Sequence, residues 1–224
     1  MIRQIVRAAL ELLFPKKAIC MGCGSAAGCR EDWVCPACRQ RLARLWVGAA
    51  LPPPELDGAA FAYIYTDPAA RIVQHLKYSG IRQLAGFMGE DMVNAWRFLE
   101  PTGADCVVCA PMHPRRRRMR GYNHAELLAR DVAARLGLEF IDALECTRLV
   151  RQQARLDTED RLKNLDGVIA LKAPVQGRRV ILVDDVRTTG ATARTCAAAL
   201  REGGARSVYL LCYTMARGEK KGKK

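Results

Sequence analysis

Residues 180–192, which read VILVDDVRTTGAT, constrain the fold more strongly than any other segment of the chain. The β-branched run at residues 179–183 predicts a buried parallel strand, and the acids Asp184 and Asp185 are expected to end it. A short loop follows, and a helix is predicted over residues 192–202. Because parallel α/β sheets bind ligands at the carboxyl ends of their strands, this strand, loop and helix predict a ligand site.

The residue types in this loop indicate which ligand it binds. Glycine and alanine let the backbone approach an anion, the amides and dipole of the following helix attract it, and threonine hydroxyls add donors. The two acids suit the 2′ and 3′ hydroxyls of a ribose, or Mg²⁺ through water. A ligand with a sugar diol and a phosphate satisfies both halves; the alternative is an ordinary turn with acids capping a helix. The predicted phosphate contacts are Thr188, Thr189, Gly190, Ala191 and Thr192.

Strands and helices alternate through most of the chain. The expected strands cover residues 59–65, 106–110, 168–171 and 207–213, and the expected helices cover residues 67–78, 83–98 and 123–136. Such alternation predicts an α/β fold in which a parallel sheet is flanked by helices.

Three consecutive prolines at residues 52–54 cannot continue a helix and favour extended chain, which predicts a linker. The linker separates an N-terminal module over residues 1–50 from an α/β domain over residues 57–217. Residues 218–224 form a basic tail that is predicted to be disordered. Residues 1–14 carry a polar stripe, which favours an amphipathic helix docked on the protein over a membrane-surface anchor or a signal peptide.

Four cysteines of the N-terminal module are spaced as two Cys-x2-Cys pairs, and each pair can place two thiolates around one tetrahedral ion. Four soft thiolates select Zn²⁺, so the pattern predicts a structural zinc ribbon. The alternative is a set of buried or redox-active thiols, and Cys29 is left over. The same spacing at Cys106 and Cys109 falls on a strand, where residues three apart face opposite ways, so these two are predicted core residues. The predicted zinc ligands are Cys20, Cys23, Cys35 and Cys38.

The net charge of +13 indicates attraction to polyanions. Much of this charge lies in an arginine run that could clamp pyrophosphate, bind a nucleic-acid backbone or be simply solvated. The run comprises Arg115, Arg116, Arg117, Arg118 and Arg120. We expect no transmembrane segment, and ten cysteines without a signal peptide predict a reducing cytoplasm.

Several motifs together resemble the ComF family, a bacterial group associated with competence for DNA uptake. They are residues 75–78 (HLKY), 111–114 (PMHP) followed by the arginine run and Asn123, 153–156 (QARL) leading to Arg161 and Asn164, and 180–192. The last segment is similar to the signature for 5-phosphoribosyl-1-pyrophosphate (PRPP) in type I phosphoribosyltransferases. The resemblance implies a type I phosphoribosyltransferase fold over residues 57–217, with a small four-cysteine zinc ribbon before it.

The resemblance also divides the site residues by the part of PRPP that they contact. Asp184 and Asp185 are expected at the ribose, and residues 188–192 at the 5′-phosphate. The residues expected at pyrophosphate are Met112, His113, Lys77 and Arg161. Two positions depart from the family pattern: Arg187 stands where an aliphatic residue is usual, and His124 stands where we expect glutamine.

Taken together, the motifs predict a PRPP-binding protein of the ComF type that acts in natural transformation by handling incoming single-stranded DNA. The expected partners are PRPP, single-stranded DNA and other competence or DNA-processing proteins, with structural Zn²⁺ and with Mg²⁺ accompanying PRPP. The alternative is a genuine phosphoribosyltransferase of nucleotide or amino-sugar metabolism, which transfers ribose 5-phosphate to an acceptor and releases pyrophosphate. The arginine run is the DNA-binding candidate.

Overall fold

The structure, a computed structural model, describes residues 19–26, 33–99, 103–147 and 168–216. Several predictions fall outside these residues. They are the helix at residues 1–14, the leftover Cys29, the segment at 153–164 with Arg161, and the tail at 218–224.

Helices and strands follow one another in the order expected for an α/β chain. The helices are α1 (Pro36–Ala43), α2 (Ala69–Tyr78), α3 (Leu84–Trp96), α4 (Pro114–Arg120), α5 (His124–Leu136) and α6 (Ala191–Glu202). The strands are β1 (Trp46–Ala50), β2 (Gly58–Ile64), β3 (Cys106–Cys109), β4 (Glu139–Phe140), β5 (Leu144–Cys146), β6 (Ile169–Leu171), β7 (Arg179–Arg187) and β8 (Ser207–Met215).

The main sheet has the strand order β1-β2-β8-β7-β3-β4, and every neighbouring pair in it is parallel except β1 with β2. Strands β5 and β6 form a separate antiparallel pair, so residues 168–171 do form a strand but not one of the main sheet. The predicted α/β class with a mostly parallel, helix-flanked sheet is confirmed.

Strand β7 lies between β3 and β8 near the middle of the sheet, and its side chains alternate between two cores. Ile181 and Val183 pack with helices α2, α3 and α5, whereas Val180 and Leu182 pack with α6. A strand that is covered on both faces reads as a continuous apolar run, which explains its sequence. The expectation that it ends before the acids is wrong: β7 continues to Arg187, because Asp184 and Val186 still pair with β8.

Strand β3 confirms the interpretation of the Cys106 and Cys109 spacing. Cys106 is fully buried in the core on the α6 side of the sheet. Cys109 is buried in the core on the opposite side. Both thiols therefore act as small apolar core groups.

The N-terminal module packs directly onto the sheet. Strand β1 lies within the predicted module but pairs antiparallel with β2. Its Trp46 ring contacts the ring of Tyr63 at a centroid distance of 5.5 Å and that of Phe98 at 6.0 Å. Cys20 and Cys38 belong to the same core as α2 and α3. The division of the chain at residues 50–57 stays a prediction, and the contacts across it are extensive.

The arginine run forms a helix, although the expected helices left it out. Helix α4 begins after His113, whose Nδ1 accepts a hydrogen bond from the Arg115 amide at 3.1 Å. It ends at Gly121, which has φ of 81° and closes the helix in a left-handed conformation. Helix α5, expected over residues 123–136, is capped by Asn123, whose Oδ1 accepts from the Ala125 amide at 3.1 Å. Among the helices that the structure describes, none combines the length and apolar character needed to cross a membrane.

Candidate functional site

A cavity of about 390 Å³ opens where β3 and β7 reach their carboxyl ends, as expected for a parallel sheet. Seven of the predicted site residues line it: Lys77, Met112, His113, Asp184, Asp185, Thr188 and Thr192. Two members of the arginine run, Arg116 and Arg120, also line it. The cavity therefore brings the predicted sugar, phosphate and pyrophosphate contacts together from three separate parts of the chain.

The predicted phosphate loop connects β7 to α6. Gly190 is the N-cap of α6 and has φ of 81°, a conformation that favours glycine. The amide of Ala191 donates to Thr189 Oγ1 at 3.4 Å. A recess of about 20 Å³ lies beside the loop and is lined by Thr188, Gly190, Ala191 and Thr192, among others. The loop thus combines exposed hydroxyls with the start of a helix, where anions are attracted.

Asp185 is the centre of a network of charged groups at the cavity floor. Lys77 Nζ lies 2.6 Å from Asp185 Oδ2, and His124 Nε2 lies 3.3 Å from the same oxygen. Arg120 approaches the other ring nitrogen of His124, with its NH1 at 2.8 Å from Nδ1. A guanidinium can only donate, so Nδ1 accepts and the proton of neutral His124 lies on Nε2, facing Asp185.

The two acids are held in opposite states. Burial opposes the charge of Asp185, but the hydrogen bond from His124 and the charge of Lys77 together bring the pKa of Asp185 well below its usual range. Burial, followed by the charge of Asp185, raises the pKa of Asp184 to about 8. Two neighbouring carboxylates that share a buried site titrate apart for this reason. The pair carries one firmly held negative charge, on Asp185.

His124, Asp184 and Asp185 offer ligand atoms within 4.8 Å of one another, an arrangement that resembles a metal site. However, Lys77 already contacts Asp185 Oδ2 at 2.6 Å. A Mg²⁺ ion bound directly to that oxygen would lie beside an ammonium group, and like charges at that distance repel. These residues therefore do not fit a direct Mg²⁺ site while Lys77 keeps its position.

Helix α4 presents its arginines in two directions. Arg116 and Arg120 face the cavity, and the Arg120 guanidinium also lies over the ring of Tyr78, 5.0 Å from its centroid. Arg117 pairs with Glu126 of α5 at 3.1 Å. Arg115 and Arg118 are exposed and do not line the cavity. One helix thus connects the cavity with a basic outer surface.

His113 has a capping role within the described structure. Because its Nδ1 accepts from the Arg115 amide, neutral His113 carries its proton on Nε2. His113 also lines the cavity. An N–H donor at this position is compatible with the predicted pyrophosphate contact, which stays a prediction.

The four predicted zinc ligands lie together. The Sγ atoms of Cys20, Cys23, Cys35 and Cys38 are all within 4.8 Å of one another. The Cys23 and Cys35 sulfurs are 3.8 Å apart, which is about the edge of a tetrahedron with Zn–S bonds near 2.3 Å. Amides of Gly22 and Cys35 donate to Cys20 Sγ at 3.4 and 3.2 Å. Burial raises the pKa of the Cys20 thiol, but the hydrogen bonds from these amides outweigh burial and lower the pKa to about 6. The cluster could hold a zinc ion as four thiolates.

Comparison with known proteins identifies the family. No family model matches the chain. The DNA utilization protein YhgH of Salmonella typhimurium is 31% identical over 203 residues, covering 87% of this chain and 88% of that protein. Competence protein ComFC of Bacillus subtilis is 25% identical over 208 residues, covering 88% and 83%. The chain belongs to the ComF family. Competence protein F of Haemophilus influenzae is 27% identical over 165 residues, covering 70% and 72%.

Solved structures similar to this ComF-family protein include phosphoribosyltransferases. An adenine phosphoribosyltransferase is 16% identical with a TM-score of 0.39, and the match covers 81% of this chain and 92% of that one. An allosteric regulatory enzyme of purine biosynthesis is 22% identical with a TM-score of 0.41, over 59% of this chain. The match spans 26% of that enzyme, about a quarter of its length.

The cavity of this ComF protein is also lined by residues that were not among the predicted site residues. Tyr65 and Tyr78 line it, and Tyr78 is 74% exposed. Asn123, beyond capping α5, donates to the Ala110 carbonyl at 3.2 Å and so fixes the end of β3. His124 was noticed only as a departure from the family pattern. Tyr78, Asn123 and His124 lie within or next to the motifs quoted above, which was the available signal, whereas no motif adjoins Tyr65.

Proposed function

We propose that this ComF protein binds PRPP in the cavity at the ends of β3 and β7. In this proposal Asp184 and Asp185 bind the ribose hydroxyls, and the loop at residues 188–192 binds the 5′-phosphate. Met112, His113, Lys77 and Arg161 are the proposed pyrophosphate contacts. The observation that carries the proposal is that the acids and the phosphate loop open onto one cavity with the cations of α2 and α4.

The cations near the proposed pyrophosphate position support this assignment. Lys77 and Arg116 line the same cavity as the loop at residues 111–113. Cations and amide donors stabilise a polyanion most strongly in a partly enclosed site. Because Lys77 Nζ already contacts Asp185 Oδ2, Mg²⁺ is not expected to bind that oxygen. We expect Mg²⁺ to enter bound to the phosphate oxygens of PRPP, where it would neutralise their charge.

We propose that the four-cysteine cluster holds one structural Zn²⁺. The donor set is four sulfurs, three of them on buried residues, and their separations suit tetrahedral coordination. A Cβ atom added at Gly22 would lie 2.9 Å from Cys38 Sγ and 2.7 Å from Pro68 Cβ, so the backbone of this loop approaches both residues closely. The zinc module would therefore be anchored at the start of α2.

We propose that the biological role is the handling of single-stranded DNA in natural transformation, inside the cytoplasm. Relatives named for competence and for DNA utilization support this role. The exposed Arg115 and Arg118 on α4 support a nucleic-acid contact, because phosphate attraction supplies most non-specific affinity. Other competence or DNA-processing proteins are the proposed protein partners.

A second candidate is transfer of ribose 5-phosphate to an acceptor. The proposed PRPP contacts do not include Tyr65, Cys146 and Ile169, which also line the cavity. The part of the cavity beside these three residues leaves room for an acceptor. Release of pyrophosphate, measured with a panel of nucleobases and amines in the presence of PRPP and Mg²⁺, tests this function. If no compound of the panel causes pyrophosphate release, the transfer function is contradicted and PRPP binding alone is the proposed property of the site.

Titration calorimetry with PRPP and Mg²⁺ tests the proposed binding. We expect Asp184→Ala to weaken binding by roughly tenfold or more, since it removes a hydrogen bond to a buried hydroxyl. Asp142→Ala is a matched control, because Asp142 is an exposed acid outside the cavity. Absence of PRPP binding by the intact protein would overturn the proposal.

A further inference from the structure

We propose that the same cavity receives the 5′-phosphorylated end of a single-stranded nucleic acid. The terminal phosphate would lie in the loop at residues 188–192, and the strand would leave the cavity along α4. This inference rests on the proposed function, because it uses the same cavity and the same 5′-phosphate loop at residues 188–192, although a strand has no free 3′ hydroxyl for the two acids to bind. It goes further by naming a polymer end as a ligand, which connects the cavity to the basic helix beside it.

The predicted linker packs against one side of the phosphate loop. Pro53 packs against the loop, with its Cγ 3.6 Å from the position of a side chain at Gly190. Glu55 binds Arg194 of α6 at 2.7 Å, which holds the linker there. The recess beside the loop is about 20 Å³, enough for one group of the size of a water or a phosphate oxygen. A terminal phosphate needs room for the chain to leave on one side only, whereas an internal phosphate needs an exit on both sides, and the linker occupies one of them.

Arg187 favours a terminal phosphate by its charge. It lines the same recess, with its guanidinium 5.4 Å from the centre of the Phe61 ring. Its Nε is buried, and the described residues offer that atom no hydrogen-bond partner. A terminal phosphate monoester carries close to two negative charges at neutral pH, and an internal diester carries one. A cation at this position therefore adds affinity for the monoester.

In a strand the 3′ oxygen is esterified, so what matters at the two acids is whether their charge is compensated. A phosphodiester beside two bare carboxylates would be repelled. Here Lys77 compensates the charge of Asp185, and His124 donates to the same carboxylate. Arg120 lies directly behind His124. The floor of the cavity is thus compensated by cations, as a neighbouring phosphate requires.

The mouth of the cavity offers a stacking surface that leads to the basic helix. Tyr78 is 74% exposed, and Arg120 covers one face of its ring. Tyr65 lines the same cavity. Single strands bind to surfaces that combine aromatic rings for base stacking with cations for the backbone. Arg115 and Arg118 of α4 are exposed and add positive charge on the same helix as Arg120, outside the cavity.

Fluorescence anisotropy with three labelled oligonucleotides of one sequence, each about 10 nucleotides long, tests the inference. One carries a 5′-phosphate, one a 5′-hydroxyl and one a 3′-phosphate. We expect the 5′-phosphorylated strand to bind roughly tenfold more tightly than the other two, as a charge-assisted contact predicts. Unlabelled PRPP with Mg²⁺ should displace it. The same measurements with the three strands made as DNA and as RNA show which of the two nucleic acids supplies the 5′-phosphorylated end.

Two variants locate the effect. Arg187→Leu should remove most of the preference for the 5′-phosphate, and Tyr78→Ala should weaken binding of all three strands. Met119→Ala is the control, because Met119 is 81% exposed on α4 and does not line the cavity. Equal binding of the three strands by a protein that binds PRPP would overturn this inference alone. A protein that binds no PRPP would overturn the proposed function instead.

Discussion

Two largely buried clusters in this protein each bring metal-ligand atoms together but differ in what balances their charge. The thiol cluster, Cys20 with Cys23, Cys35 and Cys38, and the acid cluster, His124 with Asp184 and Asp185, both place metal-ligand atoms within 4.8 Å. The acid cluster contains its own cation, because Lys77 lies 2.6 Å from Asp185. The thiol cluster is held by amide donors to Cys20. A set of ligand atoms therefore predicts a resident metal only when no side chain already supplies the positive charge.

The comparison predicts that the thiol cluster depends on an ion for its stability. Cys38→Ser should abolish zinc binding and lower the free energy of unfolding by several kcal/mol, since structural zinc contributes on the order of 10 kcal/mol to small zinc modules. Metal analysis should give about one zinc per chain in the wild type and none in the variant. Cys146→Ser is the control, because Cys146 lies outside the cluster. Wild-type zinc content in Cys38→Ser would contradict the assignment.

The acid cluster should depend on Lys77 in the corresponding way. Lys77→Met leaves Asp185 buried without its cation, and we expect a loss of about 3 kcal/mol in the free energy of unfolding. The Lys77 and Asp185 side chains are 21% and 4% exposed. Chemical denaturation measures the loss, and adding Asp185→Asn to the variant should recover part of it.

A matched surface pair isolates the effect of burial. Lys172 and Asp142 are also 2.6 Å apart, but their side chains are 35% and 43% exposed. Lys172→Met should cost less than about 1 kcal/mol, as exposed pairs do. Equal losses in the two lysine variants would refute the view that burial makes Lys77 the internal cation of the acid cluster.

The raised pKa of Asp184 predicts a pH-dependent stability. Its folded pKa of about 8 lies above the unfolded value of about 3.9. Protonated Asp184 therefore stabilises the fold fully at low pH, and this contribution is lost as the pH rises through the folded pKa. Asp184→Asn stays neutral, so its Tm should rise relative to wild type by a few degrees between about pH 5 and pH 9. A difference in Tm that does not change with pH would show that Asp184 is ionised throughout.

The smallest expected effect concerns His124. His124→Gln keeps a donor for Asp185, so we expect a loss of about 1 kcal/mol or less in unfolding free energy. His124→Leu removes the donor and should cost more. The two variants have to be compared by denaturation in the same buffer. If leucine is tolerated as well as glutamine, the hydrogen bond to Asp185 does not contribute to stability.

Much of the fold could be predicted because its determinants are local. The apolar run at residues 179–183 required a strand covered on both faces, and Asn123 and Gly137 marked the two ends of α5. The Cys-x2-Cys spacings are also local, so the thiols of each pair could be predicted to lie together. The length of β7 could not be read in this way, because pairing with β8 extends it through the acids.

The sequence by itself determined the α/β class, the loop between a strand and a helix at residues 188–192 and the two cysteine pairs. These features depend on periodicity and on spacing between near neighbours, which the order of residues states directly. Only the tertiary structure decided that Lys77 of α2 compensates Asp185 of β7, that β1 joins the main sheet and that Arg120 fixes the tautomer of His124. The first two contacts join distant segments, and they form only when helices pack onto a sheet whose order no local pattern encodes. The third depends on the left-handed turn at Gly121 between α4 and α5.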